Sequence, residues 1–109
     1  MTYDEGLAER IRSILRDEHG VTEREMFGGL AFMVDGNMAC GVIDESLMAR
    51  VGPDAYDDAL EERHVRPMDF TGRPMRGMVF VDPAGITADT ALRDWIDRCL
   101  GFARSLPAK

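Results

Sequence analysis

The spacing of apolar residues predicts an amphipathic helix at the start of the chain. The apolar positions recur every three or four residues and would form one stripe; they are Leu7, Ile11, Ile14 and Leu15. Thr2 and Glu5 have the spacing of a capping box, whose two side chains bind free amides at a helix start. Gly20 is a suitable C-terminal cap, because glycine tolerates the left-handed conformation that ends many helices.

After Met26 the pattern changes to short apolar runs separated by turn residues. The stretch GLAFMVDGNMACGVIDESLMARVG, residues 29–52, predicts three strands. Asp35-Gly36 is a strong signal for a two-residue hairpin, since glycine accepts the positive φ that such a turn requires. Asp44-Glu45 is a weaker second turn. Gly28-Gly29 precedes the first strand and indicates a bulge or a close approach of two backbones.

The second half of the chain predicts two more helices and two more strands. Pro53 and the acidic residues after it favour the start of a short helix. The segments VRPMDF and MRGMVFVD predict strands, and a last helix begins near Thr87 or Asp89 and stops at Pro107. The predicted order is α-β-β-β-α-β-β-α. This is a single α+β domain over residues 1–109, with three helices and a five-stranded antiparallel sheet.

Composition and charge indicate a globular protein and disfavour a membrane protein, a secreted protein or a DNA-binding protein. With 109 residues, 45% of them hydrophobic, the chain has the size and content of one globular domain. No apolar run reaches the roughly 18–20 residues of a membrane helix, and the acidic N-terminus lacks the features of a signal peptide. We therefore expect a cytoplasmic protein without membrane contact. A formal net charge of −7 also makes direct DNA binding unfavourable.

Several segments resemble the N-terminal domain of the TfoX/Sxy family, which includes bacterial regulators of natural competence. The similar segments are EREMFGGLAFMVDGNMACGV, LMARVGPDAY, MDFTGRPMRGMVFVDP and WIDRCLGFARSLP. The resemblance implies the element order given above, a regulatory role and no established enzymatic activity. Larger members of the family add a C-terminal domain related to helix-hairpin-helix DNA-binding modules. Because this chain ends at Lys109, directly after the third predicted helix, we expect that domain to be absent.

The segment DFTGRPMRG, residues 69–77, is the best candidate for an anion site. Arg73 and Arg76 could hold a phosphate or carboxylate between two guanidinium groups, with amides near Gly72 as further donors. The alternative is structural: Gly72 shapes a turn, and the arginines are solvated or paired with nearby carboxylates.

Strand alternation leaves neither face of the predicted sheet plainly polar, although a half-solvated antiparallel sheet normally alternates apolar and polar residues. Either the helices cover both faces, or one face is partly open and binds a protein partner or a second copy. Flexible methionine side chains would suit such an interface. Its candidate residues are Met33, Ile43, Met48, Met78 and Phe80.

The remaining ionisable residues do not form a recognisable catalytic or metal site. The histidines and cysteines lack the spacing of zinc ligands. Cys40 and His64 could act as nucleophile and base only if the fold joined them. The acidic run after Pro53 is typical of a solvated helix face. We predict a non-enzymatic interaction module with no cofactor and no metal ion; the alternative is a small-anion or nucleotide-binding domain using Arg73 and Arg76.

Overall fold

The structure, a computed structural model, describes residues 3–26, 28–69 and 74–108. Its elements in chain order are α1 (Glu5–Leu15), β1 (Val21–Met26), β2 (Gly29–Val34), β3 (Asn37–Ile43), β4 (Ser46–Arg50), α2 (Tyr56–Leu60), β5 (Val65–Asp69), β6 (Pro74–Val81), a 3₁₀ turn (Pro83–Gly85) and α3 (Asp89–Ser105). The predicted α+β class, with three helices and an antiparallel sheet, is confirmed.

The described sheet has six strands, so the predicted five-stranded sheet was wrong, and the element order is α-β-β-β-β-α-β-β-α. The strand that the sequence pattern missed is β1, which pairs with β2 along its whole length. Its sequence, VTEREM, has four consecutive exposed residues between two half-buried ends. An edge strand with polar residues on both faces has no apolar alternation from which a strand could be predicted.

The first helix is capped by Asp4. The amide of Leu7 donates to the Asp4 side chain over 3.1 Å, which satisfies one of the free amides of the first turn. Thr2, to which the sequence pattern assigned the cap, lies outside the described residues. The helix ends at Leu15, ahead of the predicted cap at Gly20. Gly20 has a φ of 78° and leads directly into β1.

The predicted turns and the close approach of two backbones are confirmed. Asp35 and Gly36 both have positive φ, 53° and 84°, as a primed two-residue hairpin turn requires. Asp44 also has a positive φ, 51°, in the turn between β3 and β4. A Cβ atom on Gly29 would collide with the carbonyl oxygen of Val42, so only glycine fits beside β3 at that position.

The strands lie in the order β1-β2-β3-β4-β6-β5, and every neighbouring pair is antiparallel. The pairing of β4 with β6 joins the two groups of strands, with a register that runs from Leu47 opposite Val81 to Arg50 opposite Met78. This pairing fixes which side chains of the two groups share a face.

All three helices contribute to one main core on the same face of the sheet. Ile11 of α1, Tyr56 of α2 and Ile96 of α3 are buried in this core against strand residues such as Phe32 and Val79. Full burial of a large apolar side chain is worth about 1.5–3 kcal/mol, so this contact holds the helices on that face.

The alternation of β6 is interrupted near Gly77, where its pairing with β5 shifts register. The amides of Val51 and Gly52 both donate to the Gly77 carbonyl, over 2.9 and 3.1 Å, and Gly77 has a φ of 97°. Over this shift β6 has more residues than the facing part of β5, and the resulting bulge redirects the strand. Strict alternation places Arg76 on the face of Met78, but beyond the bulge its side chain contacts α2 instead.

Candidate interaction surfaces

The face of the sheet opposite the helices carries a second apolar cluster. Strand alternation separates the two cores: Leu47 and Ala49 belong to the main core, whereas Met48 between them belongs to this cluster. The buried residues of all three described helices belong to the main core. We call this surface the helix-free face, and it consists of Met33, Met38, Ile43, Met48, Met68, Met78 and Phe80.

The five predicted interface residues share this face but differ in exposure. Met48 is fully buried, and Met78 and Phe80 are each only 7% exposed. Met33 and Ile43 are half-buried. The accessible side chains of the five are therefore those of Met33 and Ile43.

A bulge in β3 brings Met38 to the same face. Phe32 pairs with Cys40 and Met33 pairs with Met38, so Ala39 is an extra residue in the β3 strand. Simple alternation groups Met38 with Cys40, which points into the main core. The bulge instead makes Met38, which is half-buried, a neighbour of Met33 across the strand pair.

Arg66 covers one part of the helix-free face. Its guanidinium carbon lies 4.5 Å from the centroid of the Phe80 ring, within the range of a cation–π contact. Its Nε donates to Asp82 over 2.8 Å, and an Nη donates to the Ser46 hydroxyl over 3.2 Å. These contacts hold a polar group over Phe80, so the accessible apolar part of the face lies toward Met33 and Met38.

Arg76, the described member of the predicted anion site, interacts with α2. Its guanidinium carbon is 5.5 Å from the centroid of the Tyr56 ring, and its Nη2 is 3.6 Å from a carboxylate oxygen of Asp57. Gly72 and Arg73 lie outside the described residues. Arg76 thus has partners within its own chain, while the anion site as a whole stays a prediction.

Cys40 and His64 are not brought together. Cys40 lies on β3, while His64 is an exposed residue just before β5, and β4 and β6 lie between those two strands. Burial raises the pKa of the Cys40 thiol well above its usual value, and the nearby Cys99 raises it further. Burial also raises the pKa of Cys99 to about 12. Both thiols therefore stay protonated, and the thiolate is the reactive form.

Two of the acidic residues in and after α2 form ion pairs. Asp57 pairs with Arg76, and Glu62 accepts from Arg98 over 2.6 Å. Within the described ranges, no group of three or more histidine, cysteine, aspartate or glutamate side chains could hold a metal ion. Among the same residues, no helix is both long enough and apolar enough to cross a membrane.

An open groove of about 490 Å³ lies between α2 and α3. Val51, Ala59 and Phe102 supply its apolar lining. Asp58 from α2 and Asp97 from α3 supply acidic groups. Sequence reasoning missed this groove, because its walls come from helices far apart along the chain. The one signal in the sequence was a glycine, Gly101, in the interior of a long amphipathic helix.

The chain was compared with models of known protein families. A family model described as the TfoX N-terminal domain matches residues 13–103, from within α1 to near the end of α3. The chain belongs to the TfoX N-terminal domain family. The resemblance seen in the sequence is thereby confirmed. No curated protein and no solved structure matches the chain.

Membership of this family supports, at the family level, a module of a regulatory type. The TfoX N-terminal domain family is not a known enzyme family. In this TfoX N-terminal domain both the helix-free face and the groove lie inside the matched residues.

Proposed function

We propose that this TfoX N-terminal domain is a non-enzymatic regulatory module that acts by binding a protein, either another protein or a second copy, through the helix-free face. The observation that carries the proposal is the distribution of apolar residues between the two faces. The helices bury their apolar residues against one face, while the opposite face is rich in methionine and leaves Met33, Met38 and Ile43 half-buried.

The chemistry of the half-buried residues supports this use. Met33 and Met38 are paired across β2 and β3, so their side chains form one continuous apolar contact surface. Methionine has an unbranched, polarisable side chain that adapts to an irregular partner surface. Met48 and Met68 of the same face are fully buried, so the flexible side chains lie next to tightly packed ones.

The two edges of the sheet are less suited to a partner than its face. The edge strand β1 exposes Glu23, Arg24 and Glu25, and the other edge strand, β5, contains Pro67. Charges and proline on edge strands discourage the addition of another strand. A partner is therefore expected to dock on the face.

The charges of the chain support a protein partner rather than a nucleic acid. The net charge is −7. Six arginines form ion pairs with carboxylates of the same chain, which lowers the positive potential available to phosphate groups. These residues are Arg10, Arg12, Arg66, Arg76, Arg98 and Arg104.

The experiment is a comparison of two variants that each add one negative charge. Met33→Glu places the charge on the helix-free face, and Thr90→Glu places it at an exposed position in the first turn of α3. We expect the unmodified chain, in an undiluted extract of the cells that make it, to elute as a complex larger than the 12.2 kDa monomer. Met33→Glu should elute as a monomer, while Thr90→Glu should remain in the complex.

Circular dichroism checks that both variants are folded, and Met38→Gln provides a milder, uncharged change on the same surface. A complex that survives Met33→Glu and Met38→Gln would contradict the proposal. Elution of the unmodified chain as a monomer would do the same.

A further inference from the structure

The groove between α2 and α3 is bordered by a glycine in the interior of a helix. Gly101 lies in the interior of α3 and lines the groove. Glycine in a helix interior is less favourable than alanine by about 0.8–1.0 kcal/mol. A Cβ atom at Gly101 would meet no atom within 4 Å, so close packing does not require glycine there. Because Gly101 lines the groove, a larger side chain at this position would occupy part of the groove.

The groove has the size and lining of a binding site. Its volume of about 490 Å³ falls in the range of ligand pockets, which is about 300–1,000 Å³. Val51 and Ala59 are buried, and the ring of Phe102 is half-buried, so an entering apolar side chain would meet an apolar surface. Because the groove is open along one side, it can accept a side chain that remains attached to a larger molecule.

Some charged side chains that line the groove have ion-pair partners and others do not. Arg98 is held by Glu62 over 2.6 Å and by Asp94 over 2.8 Å, and its guanidinium lies 4.3 Å from the centroid of the Trp95 ring. The hydrogen bond that Arg98 donates to Glu62 raises the pKa of Arg98, so this guanidinium stays charged and remains paired with carboxylates of its own chain. Asp58 and Asp97, by contrast, have no ion pair or side-chain hydrogen bond with any described residue.

We infer that the α2–α3 groove binds a basic amphipathic helical segment of a partner protein. An apolar side chain of that segment fills the space above Gly101, and flanking lysine or arginine side chains face Asp58 and Asp97. Charge complementarity selects this occupant, since the carboxylates without partners lie on both walls of an apolar groove. An amphipathic helix laid into an apolar groove is a recurrent mode of peptide recognition.

This site goes beyond the proposed function, because it lies in the helix layer and not on the helix-free face. The two surfaces are separated by the sheet and are tested with different variants. The peptide-binding experiment on the groove and the Met33 and Met38 variants of the helix-free face can therefore succeed or fail independently.

The probe is a fluorescent synthetic peptide of about 15 residues, with leucines on one helical face and lysines on the other. Its acidic counterpart, in which glutamates replace the lysines, is the control probe. We expect the basic peptide to bind the full chain with a dissociation constant below about 1 mM in fluorescence anisotropy, and the acidic peptide to bind at least about tenfold more weakly. Amide NMR shifts should centre on Ala59 and Gly101.

Two substitutions at Gly101 distinguish the effect of filling the groove from the effect of a more stable helix. Gly101→Leu should weaken binding of the basic peptide by about tenfold or more, because its side chain occupies the groove while the carboxylates remain. Gly101→Ala should change binding by less than about threefold and raise the melting temperature, since it improves helix propensity and adds a single methyl group.

The contribution of charge is tested by Asp58→Asn/Asp97→Asn against Asp17→Asn/Glu25→Gln, a pair that removes two exposed carboxylates elsewhere. The groove pair should weaken binding about tenfold and reduce its salt dependence, whereas the control pair should change it by less than about twofold. No binding of the basic peptide, equal binding of the acidic peptide, insensitivity to Gly101→Leu, or equal loss in the two charge pairs would each overturn the inference.

Discussion

At the scale of single residues, the two cysteines show how burial controls reactivity. Cys40 of β3 and Cys99 of α3 are both fully buried in the main core and are free thiols. Removal from water disfavours the thiolate, which is why burial raises the pKa of both side chains. The two thiols therefore pack as small apolar side chains in this core.

We predict that neither thiol reacts with iodoacetamide at about pH 8 while the chain is folded. Protein mass spectrometry should detect no alkylated chain after a time in which free cysteine reacts fully. The same reagent in concentrated guanidinium chloride is the control and should label both thiols. Rapid labelling of Cys40 in the folded chain would show an accessible thiolate and would reopen a catalytic role.

Residue-level prediction from the sequence was sound where regular alternation holds. Leu30, Phe32 and Val34 share the main core as the two-residue period predicts. Prediction failed for Met38 and Arg76, each of which lies beyond a bulge. A bulge shifts the face of every following residue, and its position depends on cross-strand hydrogen bonds that no local sequence pattern contains.

At the scale of elements, an ion pair ties the first helix to the edge strand. Arg12 of α1 donates to Glu23 of β1 through two nitrogen atoms, over 2.7 and 2.8 Å, and it also pairs with Glu9 of its own helix. The hydrogen bond from Arg12 holds the pKa of Glu23 below its ordinary value. β1 contributes few buried residues, so this contact is one of its links to the helix layer.

We predict that the Glu23 contact stabilises the fold at neutral pH and is lost in acid. Because the pKa of Glu23 is lower in the folded chain, its contribution is present above the ordinary value of 4.5 and disappears as the pH falls through the folded-state pKa. Glu23→Gln should lower the free energy of unfolding by about 1 kcal/mol or less at neutral pH, as expected for a partly exposed pair.

Urea unfolding from about pH 7 to about pH 3 measures this contribution. The difference between the unmodified chain and Glu23→Gln should shrink in acid. Glu25→Gln, at an exposed glutamate of the same strand, should show a smaller difference at neutral pH. A difference for Glu23→Gln that stays constant over the whole range would contradict the pKa shift.

Most elements could be predicted from the sequence, because their apolar spacing and turn residues are local signals. α3, the Asp35-Gly36 hairpin and the short α2 all have such signals and all form. β1 has none: it is stabilised by hydrogen bonds to β2 and by the Arg12 contact, both of which depend on tertiary structure. Propensity alone cannot identify an edge strand of this kind.

At the scale of the whole molecule, the order of the strands gives the domain two different faces. The sequence did not indicate that β6 would lie between β4 and β5, since that pairing joins segments separated by α2. Once the order is set, the methionines of β3, β4, β5 and β6 meet on one side and the helices on the other. The α2–α3 groove likewise exists only in the folded chain, so its residues could not be predicted as a group.

The central claim is that the helix-free face is the surface that binds a protein. The most direct measurement places a photoreactive amino acid at Met33, or at Thr90 as a control on the helix side, and irradiates the cells that make the chain. We predict a cross-linked adduct from position 33, either with another protein or with a second copy at twice 12.2 kDa, and little adduct from position 90. Equal adducts from both positions, or none from position 33, would contradict it.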